Sequence, residues 1–508
     1  TTLNVVISHP KHSLIIYTFF CSFLIMIAFY LPSGFLPMED QARTFATVTL
    51  PANSSLERTS DMLSNMEKYF MENEDDVVEN ILTVVGRGFS VNGQNTGALF
   101  IKLKDWAQRD TPDHQISSIL KRAREHFHGM PQASINVFAP PAVPELGNAQ
   151  GFDFILQDRG NIGYEHLVSA KNDFMANMKT NPHLANIRIA GLEDVDQYKI
   201  EIDKEKALAY GVSTNAIHTA LDAFWGSAYI NDFTHLGRTK KVYLQADAPF
   251  RMSPENFSHY YVRNDNGNMV PFSAFITGSY QKGPVRLERY NGVPAIEILG
   301  EAASGFSSGA AMNAIEDIST NLPDGVDWAW AGISLQEKMA TGQNTWIYFI
   351  VMIIVYLCLA ALYSSWTLPF PILLIIPAGA SGSFIAAWMC HLNNDIYFQI
   401  GVLTITALAS RNALIIVEFA KELVNSGKNQ IEAIKQASCE RIRPILITSL
   451  TFIAGIMPMI FSHGAGAGAQ KALGIVIVGG MLSTSILVPY FTPLFYILLK
   501  NIHREFKP

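Results

Sequence analysis

Arg411 is the residue that most constrains what this chain does. It lies 14 residues into an apolar run spanning 397–420. If that run is helical at about 1.5 Å per residue, Arg411 sits roughly 13 Å from its C-terminal end. A charge at such depth is costly in a bilayer and generally serves function. Glu418 stands seven residues on along one helical face, so a structural Arg411–Glu418 pair is the competing reading. A guanidinium stays protonated at any working pH, which makes Arg411 a poor proton carrier. Thr448 and Ser449 open the next apolar run, directly after Arg443-Pro444. On their residue types alone they back-bond to their own helix, and Arg441 anchors a helix end on the positively charged side of the membrane. The sequence has no Ser/His/Asp constellation or phosphate-binding loop, and no CxxC or Cys/His spacing that suggests zinc. Neither covalent catalysis nor a bound metal is expected.

The elements that hold these residues are membrane spans. The chain has 508 residues, of which 49% are apolar and only 16% charged. A soluble protein carries about 25% charged residues, so a membrane part dilutes a soluble one. The net charge of −7 leaves no basic footprint for nucleic acid. Runs of about 20 apolar residues suffice to cross a bilayer. Six are found, at 13–31, 346–363, 369–389, 397–420, 444–462 and 472–499. The first lacks a small-x-small cleavage site and reads as a retained helix. Lys421, Lys428, Lys435, Arg441 and Arg443 crowd one loop, and Lys500, Arg504 and Lys507 the C-terminal tail. The opposite side has only Lys471 in its short loops. Both termini are therefore expected in the cytoplasm and the long 33–343 segment outside. The 428–438 stretch reads as a short helix on the cytoplasmic membrane surface, or as a solvated connector helix. Small residues, among them Gly401, Ala413, Gly479 and Gly480, suit close helix packing.

The exported segment alternates strand and helix patterns. Strands are expected at 44–50, 77–85, 98–103 and 134–139, and helices at 54–73, with Ser54 as cap, and at 114–127. The order is βαββαβ, a split-βαβ, ferredoxin-like arrangement. A similar unit starts at Gly151-Phe-Asp-Phe154 and resumes near Ala295 after an insertion. The expected organisation is a first transmembrane helix over 1–32 and a pore subdomain over 33–145. A second pore subdomain falls in two parts, 146–190 and 296–343, around an inserted subdomain at 191–295. Five further spans with the surface helix occupy 344–508. The fold class is thus an α-helical transmembrane bundle of six spans plus an α+β extramembrane domain.

A set of segments, in order, resembles one family. They include Leu31-Pro-Ser-Gly-Phe-Leu-Pro-Met-Glu-Asp-Gln41, Gly93-Gln-Asn-Thr-Gly97, Pro141-Ala-Val-Pro-Glu-Leu-Gly147 and Arg286-Leu-Glu-Arg-Tyr-Asn-Gly292. Further on come Leu359-Ala-Ala-Leu-Tyr363, Asn412-Ala-Leu-Ile-Ile-Val-Glu-Phe-Ala420, Arg441-Ile-Arg-Pro444 and Gly464-Ala-Gly-Ala-Gly-Ala-Gln470. Together they resemble the hydrophobe/amphiphile efflux branch of the resistance-nodulation-division transporters, over the second of that family's two six-helix repeats. The resemblance implies a transporter and not an enzyme, in the cell inner membrane with a large periplasmic domain. It implies that the proton-motive force drives export of amphiphilic small molecules and that no cofactor is needed. The implied partners are an N-terminal half carrying an aspartate pair, two further copies in a homotrimer, a periplasmic adaptor protein and an outer-membrane channel. The inserted subdomain resembles the channel-docking one. No Asp lies inside any of the six runs.

The same resemblance assigns roles. Arg411 stands where the family has Lys, paired with the aspartates; here it would be a fixed counter-charge. Thr448 matches a relay threonine and Arg441 an arginine on the proton's cytoplasmic route. Phe89, Phe100 and Phe138, with Val84 beside them, match the aromatic drug pocket. Gly86, Arg87, Gly88 and Asn92 belong to the glycine-rich loop that divides it. At Arg87 and Asn136 the family often has Phe, so this pocket is expected to be more polar. Arg188 is a contact on the access side. The simpler alternative makes Phe100 and Phe138 strand core. Two rival functions stay open: a six-span protein-export accessory subunit, and a non-transporting remnant of a pump. Accessory halves have a much smaller loop than 33–343. Metal export would call for clustered Met or carboxylates, and the Met residues of 33–343 are scattered.

Overall fold

The computed structural model describes residues 2–37, 39–52, 54–89, 92–130, 132–141, 143, 151–303 and 305–505. The expected boundary at 145/146, most of the 141–147 segment, and Ser90 and Val91 of the glycine-rich loop lie outside them. The chain opens with α1 (Thr2–Ser8) and the apolar α2 (Pro10–Tyr30). The first sheet is then built from β1 (Arg43–Thr49), α3 (Leu56–Asn73), β2 (Val78–Arg87), β3 (Asn92–Leu103), α4 (Ile116–Phe127) and β4 (Ser134–Phe138). Its strands lie antiparallel in the order β2-β3-β1-β4. Helix α3 is capped by Ser55, one residue after the expected cap, and Ser55 Oγ accepts from the Arg58 N–H at 3.3 Å. Thr59, Leu63, Met66 and Phe70 then recur at helical spacing and are buried. With Ile119 and Ala123 of α4 they cover Ala46, Val48, Leu99 and Ile101. Since side chains alternate along a strand, the other face of this sheet is left without a helix.

A second sheet repeats the plan. It uses β5 (Phe152–Asp158), α5 (Tyr164–Thr180) and β6 (Leu184–Ile189). The chain then enters a separate compact unit, Leu192–Leu287. That unit contains β7 (Val195–Ile202), α6 (Lys204–Ala209), α7 (Thr214–Leu221), β8 (Ala228–His235), β9 (Arg238–Leu244), α8 (Ala248–Arg251), β10 (Tyr261–Arg263), β11 (Met269–Pro271) and β12 (Ile276–Gly283). Strand β7 pairs with β12, and β8 with β9 as a hairpin. Its core gathers Ile217, Phe257, Phe272 and Phe275. The chain returns to the second sheet with β13 (Glu288–Tyr290), β14 (Val293–Ala302), α9 (Ser308–Ser319) and β15 (Val326–Trp330). Strands β6 and β13 both pair with β14, followed by β5 and β15. Phe154, Phe174, Met178, Ile298, Met312 and Trp330 form the core under α5 and α9. Because β13 and the start of β14 belong here, the inserted unit ends at Leu287 and not at 295.

The rest is helical: α10 (Gly332–Tyr363), α11 (Pro369–Leu373), α12 (Ile376–Met389), α13 (Ile396–Asn425), α14 (Gln430–Ile460) and α15 (Ala467–Glu505). Among the described residues five helices are long and apolar enough to cross a membrane: Pro10–Tyr30, Pro369–Met389, Ile396–Asn425, Gln430–Ile460 and Ala467–Leu498. The apolar part of α10, Phe349–Tyr363, is shorter. The helix expected over 428–438 does not stand apart. It runs on through Pro444 into the next apolar run as α14. Small residues set the tightest helix contact. A Cβ added to Gly382 of α12 would fall 2.2 Å from the Gly479 carbonyl of α15, and one on Gly479 would fall 2.5 Å from the Gly382 carbonyl. Two acids after α2 tie distant parts together. Glu39 Oε1 accepts from the Ala469 N–H at 2.9 Å, in the first turn of α15, where a carboxylate suits the helix dipole. Asp40 takes both arms of the buried Arg109 guanidinium at 3.1 and 3.2 Å.

Candidate functional site

The helix-free face of the first sheet collects aromatic rings. Antiparallel register puts Phe45 of β1 opposite both Phe100 of β3 and Phe138 of β4. The next row holds Thr47 opposite Ala98 and Asn136, with Val84 of β2 against Ala98. Phe89, from the turn after β2, meets Phe45, Phe100 and Phe138 with ring centroids 5.0, 5.2 and 5.5 Å away. These are tilted and edge-to-face contacts, the geometry aromatic pairs favour. The structure thus brings Phe89, Phe100 and Phe138 together and adds Phe45, which the sequence reading missed. Phe45 lies in a β-branched stretch, and only the register reveals its two aromatic neighbours.

Phe138 is buried, while Phe45, Phe89, Phe100 and Val84 are partly exposed. They lie on the face opposite the Leu99–Ile101 core; the strand-core reading fits the buried Phe138 and does not fit the partly exposed Phe100. Beside them β2 ends in a bulge at Gly86, whose φ of +80° suits glycine. Arg87 pairs with Asn92 across the start of the turn that contains Gly88, and both are exposed. With Thr47 and Asn136 beside Ala98 and Val84 in the second row, the surface is aromatic in one row and mixed in the next.

Arg188 of β6 places its guanidinium 5.6 Å from the Phe138 ring centroid, a cation–π distance. Burial lowers its pKa and the Glu301 carboxylate opposes that shift. On the helix-free face of the second sheet, Asp153 of β5 stands beside Glu297 of β14. Burial first, and then the charge of Glu297, push the Asp153 carboxyl up to about 7. The second sheet therefore presents acids and a guanidinium where the first presents rings.

The membrane residues are placed differently. Arg411 sits on an exposed face of α13, and neither it nor Glu418 forms an ion pair among the described residues. The structural Arg411–Glu418 pair is therefore not made. The neighbouring Asn412 is fully buried, with both amide atoms unpartnered. Thr448 Oγ donates to the Ile445 carbonyl of its own helix at 3.0 Å. The Arg441 guanidinium lies 4.4 Å from the Phe419 ring centroid, which fastens α14 to α13. No hydrogen bond or ion pair joins Arg411, Thr448 and Arg441 to one another among the described residues.

Comparison with known proteins accounts for the combination of apolar helices and paired sheets. The profile of the AcrB/AcrD/AcrF family matches residues 1–500. Multidrug resistance protein MdtF of Escherichia coli (strain K12) is 42% identical over 496 residues, 97% of this chain and 48% of the relative. The multidrug/solvent efflux pump membrane transporter MepB of Pseudomonas putida is 44% identical over 478 residues, 94% of this chain and 45% of its own. Multidrug export protein AcrF of Escherichia coli (strain K12) is 42% identical over 493 residues. The chain spans about half the length of these relatives. With the family profile matched almost from end to end, the chain belongs to the AcrB/AcrD/AcrF family, the multidrug efflux pumps of the resistance-nodulation-division type.

Proposed function

We propose that this chain is the second six-span repeat of a proton-driven transporter that exports amphiphilic compounds from the inner membrane and periplasm. The aromatic face of Phe45, Phe89, Phe100 and Phe138 carries the reading. It is a ring-lined surface with a mixed second row beside a glycine-bearing turn, suited to flat apolar molecules that carry a polar group. The sixth span is the Phe349–Tyr363 portion of α10. The βαββαβ sheets are ferredoxin-like pore subdomains on the periplasmic side, and Leu192–Leu287 is the docking subdomain. Basic loops on the other side put both termini in the cytoplasm.

Transport on this reading is conformational. An N-terminal half supplies the aspartate pair that binds the proton, and Arg411 faces it as a fixed counter-charge. The exposed, unpaired position of Arg411 on α13 suits such a partner. Thr448 and Arg441 flank the proton's cytoplasmic route. Three such protomers, a periplasmic adaptor and an outer-membrane channel complete the pathway.

The test uses a drug-sensitive strain lacking its own pumps. The chain expressed alone confers no resistance, and the chain with a complementary N-terminal half does. Resistance from the lone chain would sink the account of the proton site. In the assembled pump Arg411→Ala abolishes efflux while membrane expression survives. Arg411→Lys keeps part of it, because charge is retained and the planar fork lost. Wild-type efflux by Arg411→Ala would remove Arg411 from the mechanism.

A further inference from the structure

Between the two sheets lies a charge cluster that the transport reading does not use. Arg124 of α4 donates from Nε to the Val137 carbonyl at 2.8 Å. From Nη2 it donates to Glu301 Oε1 of β14 at 2.9 Å. The second oxygen of Glu301 accepts from Asn186 Nδ2 at 3.0 Å. Arg124 belongs to the first sheet's subdomain, Glu301 and Asn186 to the second. Strand β4 is the edge of its sheet, so the Val137 carbonyl is open to Arg124. Val137 is the residue before Phe138, and Arg188 stands over the Phe138 ring from the second subdomain. Two guanidiniums therefore hold the 137–138 edge, one at the backbone and one at the ring.

Exposed ion pairs contribute little, because two long side chains must be ordered in water. Here the side chains of Arg124 and Glu301 are only 32% and 21% exposed. Each is also held by a second partner, so the pair is ordered before it forms. We propose that Arg124 and Glu301 form a clasp across the junction of the two sheet subdomains, and that it positions Phe138 and Arg188. They are positioning residues: opening the clasp frees the β4 edge and moves Phe138 relative to Arg188. The consequence for cargo rests on the transport reading; the clasp itself does not.

The experiment therefore measures distance and not transport. In the full chain, with Cys21, Cys358, Cys390 and Cys439 replaced by Ser, spin labels are placed at Lys121 of α4 and Lys179 of α5, both exposed. Electron–electron distance measurement gives a narrow distribution for the native pair. Arg124→Glu and Glu301→Arg each lengthen it by more than about 2 Å, the scale of a domain rearrangement. The double reversal re-forms the ion pair without the Val137 and Asn186 bonds, and brings the distance back toward the native one. Glu301→Gln, which keeps the Asn186 bond and removes the charge, broadens it without disturbing the fold. Unchanged distances in both single reversals and in Glu301→Gln would overturn the clasp, as would a double reversal as wide as the singles. A clasp that opens on reversal in a chain that never transports, even with its complementary half, would leave this inference standing and remove the function proposed above.

Discussion

In the sheet β2-β3-β1-β4 the face away from the helices carries Phe45, Phe100 and Phe138 in one row. In the sheet β6-β14-β5-β15 the equivalent face carries Asp153, Glu297 and Arg188. The faces under the helices are alike: Phe70, Leu99 and Ile101 in one, Phe154, Ile298 and Trp330 in the other. The strand order is held by the buried face, where volume and apolarity are required. The other face carries less of that duty, with Ile155 and Ala295 buried beside the acids in the second sheet, and one fold has set rings on it in one copy and charges in the other. The two copies then meet at the 137–138 edge, where Arg188 of the charged face covers a ring of the aromatic one.

Four substitutions would break or sharpen that contrast. The largest effect belongs to the buried face. Phe154 is fully buried, stacked on Phe174 and Trp328 at 5.0 and 5.5 Å and edge-on to Trp330 at 5.3 Å. Phe154→Ala is expected to cost about 3–5 kcal/mol of stability. Tryptophan fluorescence of Trp328 and Trp330 reports the loss during denaturation, and a transition unmoved from the native one would mean that this face does not hold the subdomain.

A smaller effect, with a sign that depends on pH, belongs to the charged face. The Asp153 carboxyl is raised from its ordinary 3.8 to about 7 by burial and by Glu297. Between those values the folded chain holds a proton that the unfolded chain has lost. The contribution of this group to stability is therefore present at low pH and lost as pH rises through about 7. Asp153→Asn removes the titration, so its stability relative to the native chain should improve from pH 5 to pH 8. Parallel melting curves of the two chains across that range would contradict the pairing of Asp153 with Glu297.

The smallest effect on stability belongs to the aromatic face. Phe45→Ala and Phe100→Ala remove partly exposed rings and should cost about 1 kcal/mol each. In an assembled pump they should instead change which amphiphiles are exported. A loss as large as that of Phe154→Ala, with the export profile intact, would make this face a second core.

The order of strands and helices was legible in the sequence because each carries a clear period. Thr44 to Leu50 alternates, and Thr59, Leu63, Met66 and Phe70 recur at helical spacing. Of the β8–β9 hairpin the sequence shows the strand pattern Lys241-Val-Tyr-Leu-Gln245 but not the turn, which runs through Leu236 and Gly237 at φ +50° and +72°. Leucine gives no sign of a left-handed turn, unlike the Asn or Asp that usually stands there. Pro444 misled in the other direction. It usually marks a helix start, yet α14 continues through it, at the cost of one backbone donor. Of the site, Phe89, Phe100 and Phe138 were found by resemblance. Phe45 and the Arg124–Glu301 contact depend on register and on subdomain placement, which local spacing does not encode. Arg411, Thr448 and Arg441 were picked out one by one in the sequence, and no hydrogen bond or ion pair groups them among the described residues.

Glu39 has a consequence for how the chain is made. Its carboxylate meets the N–H of Ala469 across 430 positions of sequence, with both sheets and the inserted unit between. When Glu39 is made it has nothing to cap, and its partner arrives only with α15, 430 positions later. Closing so long a loop is a slow, entropically costly step. The first turn of α15 is therefore secured later than the two sheets that lie between, and until then the end of α2 and the start of α15 are free to part. A ribosome-stalled chain that stops before α15 should leave Glu39 open to carboxyl-modifying reagents, and extension through α15 should protect it.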